Sequence, residues 1–66
     1  MEVFYYTAST EKKSGSTFRH EGTLRGAIVR ATSYALKEFE RDERGNGPVI
    51  TVVDAKTGKR VVEDRL

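Results

Sequence analysis

One stretch of this chain repeats like a helix, while the segments on either side repeat like strands joined by turns. From Thr23 to Arg44 the apolar residues Leu24, Ile28, Ala31, Ala35 and Phe39 recur at steps of three and four. That spacing keeps them on one side of a rod turning 3.6 residues per turn, leaving Arg30, Tyr34, Lys37, Arg41 and Arg44 for the other. Both ends are marked. Thr23 is a good N-cap, its hydroxyl able to accept from an orphan N–H of the first turn. Arg41 and Arg44 suit the negative pole of the helix dipole, and Gly45-Asn46-Gly47-Pro48 supplies a left-handed cap and a stop. A helix over residues 23–44 is therefore predicted. Gly26 in its first turn either loosens that end or admits a close neighbour.

The flanking segments favour strands. Val3 to Thr7 is β-branched and aromatic, and Ser16 to His20 can pair with it across the polar loop of residues 9–15. Val49 to Val53 is the strongest strand, and Asp54-Ala55-Lys56-Thr57-Gly58-Lys59 reads as a hairpin loop with glycine at the position of positive φ. Val61, Val62 and Glu63 return as a fourth strand, with Asp64-Arg65-Leu66 as a fraying tail. A four-residue loop sets Asp54 opposite Lys59, Val52 opposite Val61 and Ile50 opposite Glu63. This register puts Ile50, Val52 and Val61 under the helix and Val49, Thr51, Val53, Arg60 and Val62 on the far side. In the first hairpin Phe4, Tyr6 and Phe18 point inward, and Val3, Tyr5, Thr17 and Arg19 point outward. The expected fold is α+β, a two-layer β-β-α-β-β arrangement in which one helix packs on one face of a four-stranded antiparallel sheet.

Size limits what such a domain can do. Sixty-six residues make one domain, residues 1–66, which buries only about 60% of the surface its unfolded chain exposes. A deep catalytic cleft is hard to build on that scale. The chain has no cysteine, hence no thiolate chemistry and no disulfide, and a lone histidine, His20, which cannot form a metal site by itself. No apolar run approaches the ~20 residues of a bilayer span, and Met1-Glu2-Val3-Phe4 lacks the basic start of a signal peptide. The expectation is a soluble cytoplasmic protein with no membrane partner.

Catalytic and metal assignments find no support in the residues. Nucleophile-plus-base chemistry needs a positioned base and a third orienting group, and His20, between Arg19 and Glu21, reads as an exposed strand histidine. Glu38, Glu40, Asp42 and Glu43 crowd the helix end, but neighbours on a helix do not face each other, and Glu40 with Arg44 reads as a surface ion pair. Gly22-Thr23-Leu24-Arg25-Gly26 lacks the lysine and spacing of a phosphate loop. No catalytic residue, metal ligand or cofactor is assigned.

Binding is better supported. Twelve Lys and Arg against ten Asp and Glu leave a net charge of +2, so the distribution of charge matters more than its total. Long cations on a helix are ordinarily just its solvated face. Here the acids lie mainly on the flanks, away from Arg30, Lys37, Arg41 and Arg44, and Tyr34 sits among these cations. Tyrosine and arginine are over-represented among energetically important interface residues, and a tyrosine can also stack on a base. The same tyrosine could instead wrap over the sheet edge as peripheral core. The outer sheet face, carrying Tyr5, Arg19 and Arg60 among valines, is the second candidate surface, and its valines suit dimerisation. The oligomeric expectation is monomer or homodimer.

Two parts of the chain together carry a resemblance. The glycine-led helix start Gly22-Thr23-Leu24-Arg25-Gly26-Ala27-Ile28 is one; Pro48-Val49-Ile50-Thr51-Val52-Val53-Asp54 with the return Thr57-Gly58-Lys59-Arg60-Val61 is the other. The chain resembles the very small proteins that phages and mobile elements encode to block host defence, including anti-CRISPR proteins built from a helix on an antiparallel sheet. The resemblance implies a non-enzymatic inhibitor docking on a host protein or nucleoprotein complex in the host cytoplasm. It assigns no individual residue. Direct binding of DNA or RNA, through the helix stripe or the outer sheet face, is the alternative expectation.

Overall fold

The computed structural model describes all residues from Met1 to Leu66. Its elements are β1 (Val3–Ser9), β2 (Phe18–Glu21), α1 (Leu24–Glu38), β3 (Val49–Asp54) and β4 (Arg60–Arg65). All strand pairings are antiparallel, in the order β2-β1-β3-β4. The helix lies over the central strands β1 and β3 and reaches β2. This is the expected α+β architecture of one helix on a four-stranded antiparallel sheet.

The contact between the layers is made by small residues. Ala27, Ala31 and Ala35, one turn apart along α1, are fully buried, and they meet Phe4, Ala8, Ile50 and Val52 of the central strands. With only methyl groups on this stripe, the helix backbone can settle close to the sheet. Leu24 and Ile28, expected in the core, instead flank this stripe and are only half-buried.

The helix ends six residues earlier than its sequence pattern suggests. Thr23 is the N-cap, its Oγ1 accepting from the Gly26 N–H at 3.0 Å. At the other end Phe39 is the C-cap in extended conformation, its N–H still bonded to the Ala35 carbonyl at 3.0 Å, and its ring is 7% exposed. Burial of that ring offsets the loss of further helical hydrogen bonds. The five residues that follow, Glu40-Arg41-Asp42-Glu43-Arg44, have no apolar group to hold another turn. The Asp42 carboxylate instead accepts from the backbone N–H groups of Arg44 (2.9 Å) and Asn46 (2.8 Å), the local competition by which aspartate diverts a chain from helix to turn. Gly45, at φ +82°, belongs to that turn and does not cap the helix. The helix terminus is instead tied by Lys13, whose Nζ donates to the Glu38 carbonyl at 3.4 Å and stands 5.1 Å from the centre of the Phe39 ring.

Strand boundaries also move: β1 runs on through Ser9, which pairs with Val49 and so leaves the expected loop, β3 extends to Asp54, and β2 and β4 shift at both ends. Ser16 lies outside the ladder because its backbone is bonded to side chains: its N–H donates to the Tyr34 hydroxyl, and its carbonyl accepts from Thr7 Oγ1. Strand β2 therefore starts at Phe18. The last strand runs to Arg65, and Leu66 is held by its N–H on the Pro48 carbonyl at 2.9 Å, so the tail does not fray.

The register of the second hairpin is corrected by a bulge. Asp54 does face Lys59, its N–H bonding the Lys59 carbonyl at 2.9 Å, but the pairing shifts between Val52 and Val53. Val62, not Val61, then lies opposite Val52 and packs against the core, and Val61 is 43% exposed. Ile50 pairs with Asp64 in place of Glu63. The shift moves Glu63 to the outer face, where its carboxylate accepts from Arg60 at 3.1 Å. Without the extra residue those two side chains would lie on opposite faces.

The register is testable by stability measurements. Val62→Ala is expected to lower the free energy of unfolding by about 1 kcal/mol and Val61→Ala by less than about 0.5 kcal/mol, while Ile50→Ala costs about 2–5 kcal/mol. A urea titration in which position 61 proves as sensitive as position 62 would contradict the bulge.

Candidate functional site

The basic stripe survives only in part. Arg30 and Lys37 are on α1 and exposed, as expected, but Arg41 and Arg44 lie beyond its end. Those two line a hollow of about 760 Å³ between residues 9–12 and 40–47, together with Lys12, Arg65, Glu11 and Asp42. Arg41 is occupied there, donating to the Gly45 carbonyl at 2.7 Å. The hollow mixes both signs of charge and has a single apolar residue, Val49, in its wall. Ligand pockets are mostly apolar, so this is a solvated groove and not a built site.

Tyr34 leaves the stripe altogether. Its ring is edge-on to Phe18 (4.8 Å between centres) and to Phe39 (5.8 Å), and its hydroxyl accepts from the Ser16 N–H at 2.9 Å. Phe18 in turn stacks on Tyr6 at 5.4 Å, pointing to the helix side as expected while staying 39% exposed. Tyr34 is thus the peripheral-core brace that its sequence position also allowed. Gly15 permits it: a Cβ there would stand 2.7 Å from the Tyr34 hydroxyl.

His20 is half-buried, not exposed. Paired with Phe4 in the sheet, it shares the helix side, and its ring lies against the first turn of α1. A Cβ on Gly26 would come within 2.7 Å of His20 Nε2, so the close neighbour that Gly26 admits is an imidazole. No group of three or more His, Asp or Glu side chains is placed to hold a metal ion.

The outward face of α1 carries residues that the helix-period reading passed over. Val29 is 59% exposed and Leu36 64% exposed, seven residues apart. Seven residues make about two turns and a separation of ~10.5 Å along the axis, so the two side chains share a seam, with exposed Ser33 between them. Arg25 borders the seam on one side, Arg30 and Lys37 on the other. The two ion pairs of the structure are Arg19–Glu21 and Arg60–Glu63, both on the sheet, so these three cations have no acidic partner. The missed signal was present in the sequence: two aliphatics at i, i+7, out of phase with the core stripe.

The outer sheet face is uncovered, as expected. Arg19, Tyr5, Val53 and Arg60 form one row across all four strands, with Tyr5 41% exposed, and Val3, Thr7, Val49 and Thr51 lie on the same side. A hollow of about 550 Å³ at one end of this face is lined by Val3, Tyr5, Arg19 and Lys56. Both arginines of the row are engaged by their carboxylate neighbours, Glu21 and Glu63. The expected Glu40–Arg44 pair is not formed.

Comparison with protein-family models, curated proteins and solved structures finds no match. No helix is long and apolar enough to cross a membrane.

Two outcomes follow from this geometry. Tyr34→Phe keeps the aromatic packing but removes the acceptor for Ser16, so it should lower stability by about 0.5–1.5 kcal/mol and shift the Ser16 amide resonance; an unmoved Ser16 signal would contradict the brace. The Asp42 carboxyl is held below the usual carboxylate range, first by the Asn46 N–H, then by the Asn46 amide, the Arg44 N–H and the charge of Arg65, against some opposing desolvation. A depressed folded-state pKa means that the stabilisation is in place at neutral pH and is lost as pH falls through the lowered value. Titration followed by NMR should place the Asp42 midpoint below 3.8, with loss of Arg44 and Asn46 amide protection at the same acid pH.

Proposed function

We propose that this is a small non-enzymatic binding protein that docks on a larger protein or nucleoprotein complex through the outward face of α1. The observation that carries the reading is the Val29–Leu36 seam bordered by Arg25, Arg30 and Lys37, cations that no carboxylate of the chain neutralises. Single exposed aliphatics are common on protein surfaces. Two in register on one helix, bordered by charge of one sign, match the arrangement of an interface, where an apolar centre is rimmed by polar groups. A partner patch of about 800 Å² suffices for a standard interface, and the protein exposes 4918 Å² in all. The resemblance to mobile-element inhibitors supplies the sense of the docking: the protein would act by occupying a surface that a host complex needs, within the host cytoplasm.

A second reading has one observation in its favour. The row Arg19–Tyr5–Val53–Arg60 presents an exposed aromatic beside cations on an uncovered sheet face, an arrangement on which single-stranded nucleic acid can stack. The carboxylates of Glu21 and Glu63 weaken it by offsetting both arginines.

Affinity capture from host lysate separates the two. The double variant Arg30→Glu/Lys37→Glu should lose at least about tenfold of the captured complex, a loss of ~1.4 kcal/mol, with the fold intact by circular dichroism. Undiminished capture would eliminate the α1 face. Binding of bare nucleic acid that falls steeply with salt and depends on Tyr5 would favour the sheet instead.

A further inference from the structure

We infer that the element received by α1 is an acidic amphipathic helix of the partner protein. This rests on the reading of α1 as the contact surface and narrows it to one kind of occupant.

The geometry of the seam sets the shape of the partner. Val29, Ser33 and Leu36 follow one another at steps of four and three, the spacing at which one helix offers a ridge to another. Ser33, exposed between the two aliphatics, is smaller than either and so leaves room for an apolar side chain of a facing helix. A second helix lying nearly along α1, at an interaxial distance of about 8–10 Å, would bury Val29 and Leu36 together. Its own apolar residues would recur with the same ~10.5 Å spacing.

Charge sets its chemistry. Arg25 on one border and Arg30 and Lys37 on the other occupy positions like those that flank a coiled-coil seam, where opposite charge decides partner choice. Glu38 is the only acid of α1, and it lies at the C-terminal end, on the side away from the seam. A partner helix with glutamates or aspartates beside its apolar ridge would neutralise all three cations.

The same features disfavour other occupants. A second copy of this chain would oppose Arg25, Arg30 and Lys37 to their own equivalents in either orientation, a like-charge arrangement that weakens association. Nucleic acid would satisfy the cations but leave Val29 and Leu36 without apolar contact. A lipid surface needs a broad apolar helix face, and the broad face of α1 is already taken by the sheet.

The test is an NMR titration of the isotope-labelled protein with four probes. These are a synthetic three-heptad helix with leucine in its seam and glutamate on both borders, a scrambled peptide of the same composition, a short DNA duplex, and phosphatidylglycerol vesicles. The ordered acidic helix should shift the amides around Arg25, Val29, Arg30, Ser33, Leu36 and Lys37. It should bind at least about tenfold more tightly than the scrambled peptide, and a similar factor should be lost on Leu36→Ser or on Arg30→Glu. Leu36 is exposed, so Leu36→Ser folds normally and its thermal unfolding serves as control. No shift with the ordered helix at millimolar concentration, shifts on the outer sheet face, or affinity indifferent to Leu36→Ser would overturn the inference. So would tighter binding to duplex or vesicle than to the helix. If lysate capture still depends on Arg30 and Lys37 while the acidic helix leaves α1 silent, only the helical partner is refuted. If capture is indifferent to them, the docking reading itself fails.

Discussion

The structure depends on the contact of Ala27, Ala31 and Ala35 with the central strands. These three methyl groups face Phe4, Ala8, Ile50 and Val52, and the eight-residue core is completed by Phe39 at the end of the helix. A core this small has few large side chains to spare, and Ile50 and Val52 are its largest fully buried ones. It works because the three alanines present only methyl groups, which can lie directly against the side chains of Phe4, Ala8, Ile50 and Val52. It also sets the length of α1, since the helix persists while it has methyl groups to lay on the sheet and stops where Phe39 folds in.

A consequence of this economy is that few large side chains remain to cover anything else. The sheet has two faces and the helix covers one, so Tyr5, Val53 and their neighbours meet solvent. Likewise Val29 and Leu36 stand on the side of α1 that the sheet does not reach. The aromatic chain Tyr6–Phe18–Tyr34–Phe39, with Lys13 over its end, braces the margin where α1 overhangs β2. That brace draws Tyr34 away from the basic residues and leaves aliphatic and cationic groups as the outward chemistry of the helix.

How far the candidate site could be read from residues alone varied with the kind of signal. Arg30 and Lys37 were legible because helix periodicity places them on one side and long cations stay in water. Tyr5, Arg19 and Arg60 were legible because strand alternation puts them away from Phe4 and Ile50. Arg41 and Arg44 continued the same helical spacing, but spacing does not show whether helix continues. What ended it was the burial of Phe39 and the carboxylate of Asp42 capturing two backbone N–H groups, both of which depend on surroundings. Val29 and Leu36 were passed over for a different reason: their i, i+7 spacing is plain in the sequence but falls out of phase with the core stripe, and the position of the sheet leaves both exposed.

The sequence by itself determined the element order, the four-stranded antiparallel sheet with one helix on it, the N-cap at Thr23 and the hairpin turn between Asp54 and Lys59. These follow from local periods, capping chemistry and turn residues, which act over a few bonds. Tertiary structure alone decided the order β2-β1-β3-β4, the bulge that exchanges Val61 for Val62, the placement of His20 beneath Gly26 and the withdrawal of Tyr34 into the aromatic margin. Each depends on which distant groups come into contact, and the energies separating the alternatives are those of packing and hydrogen bonding between elements, which no local pattern encodes.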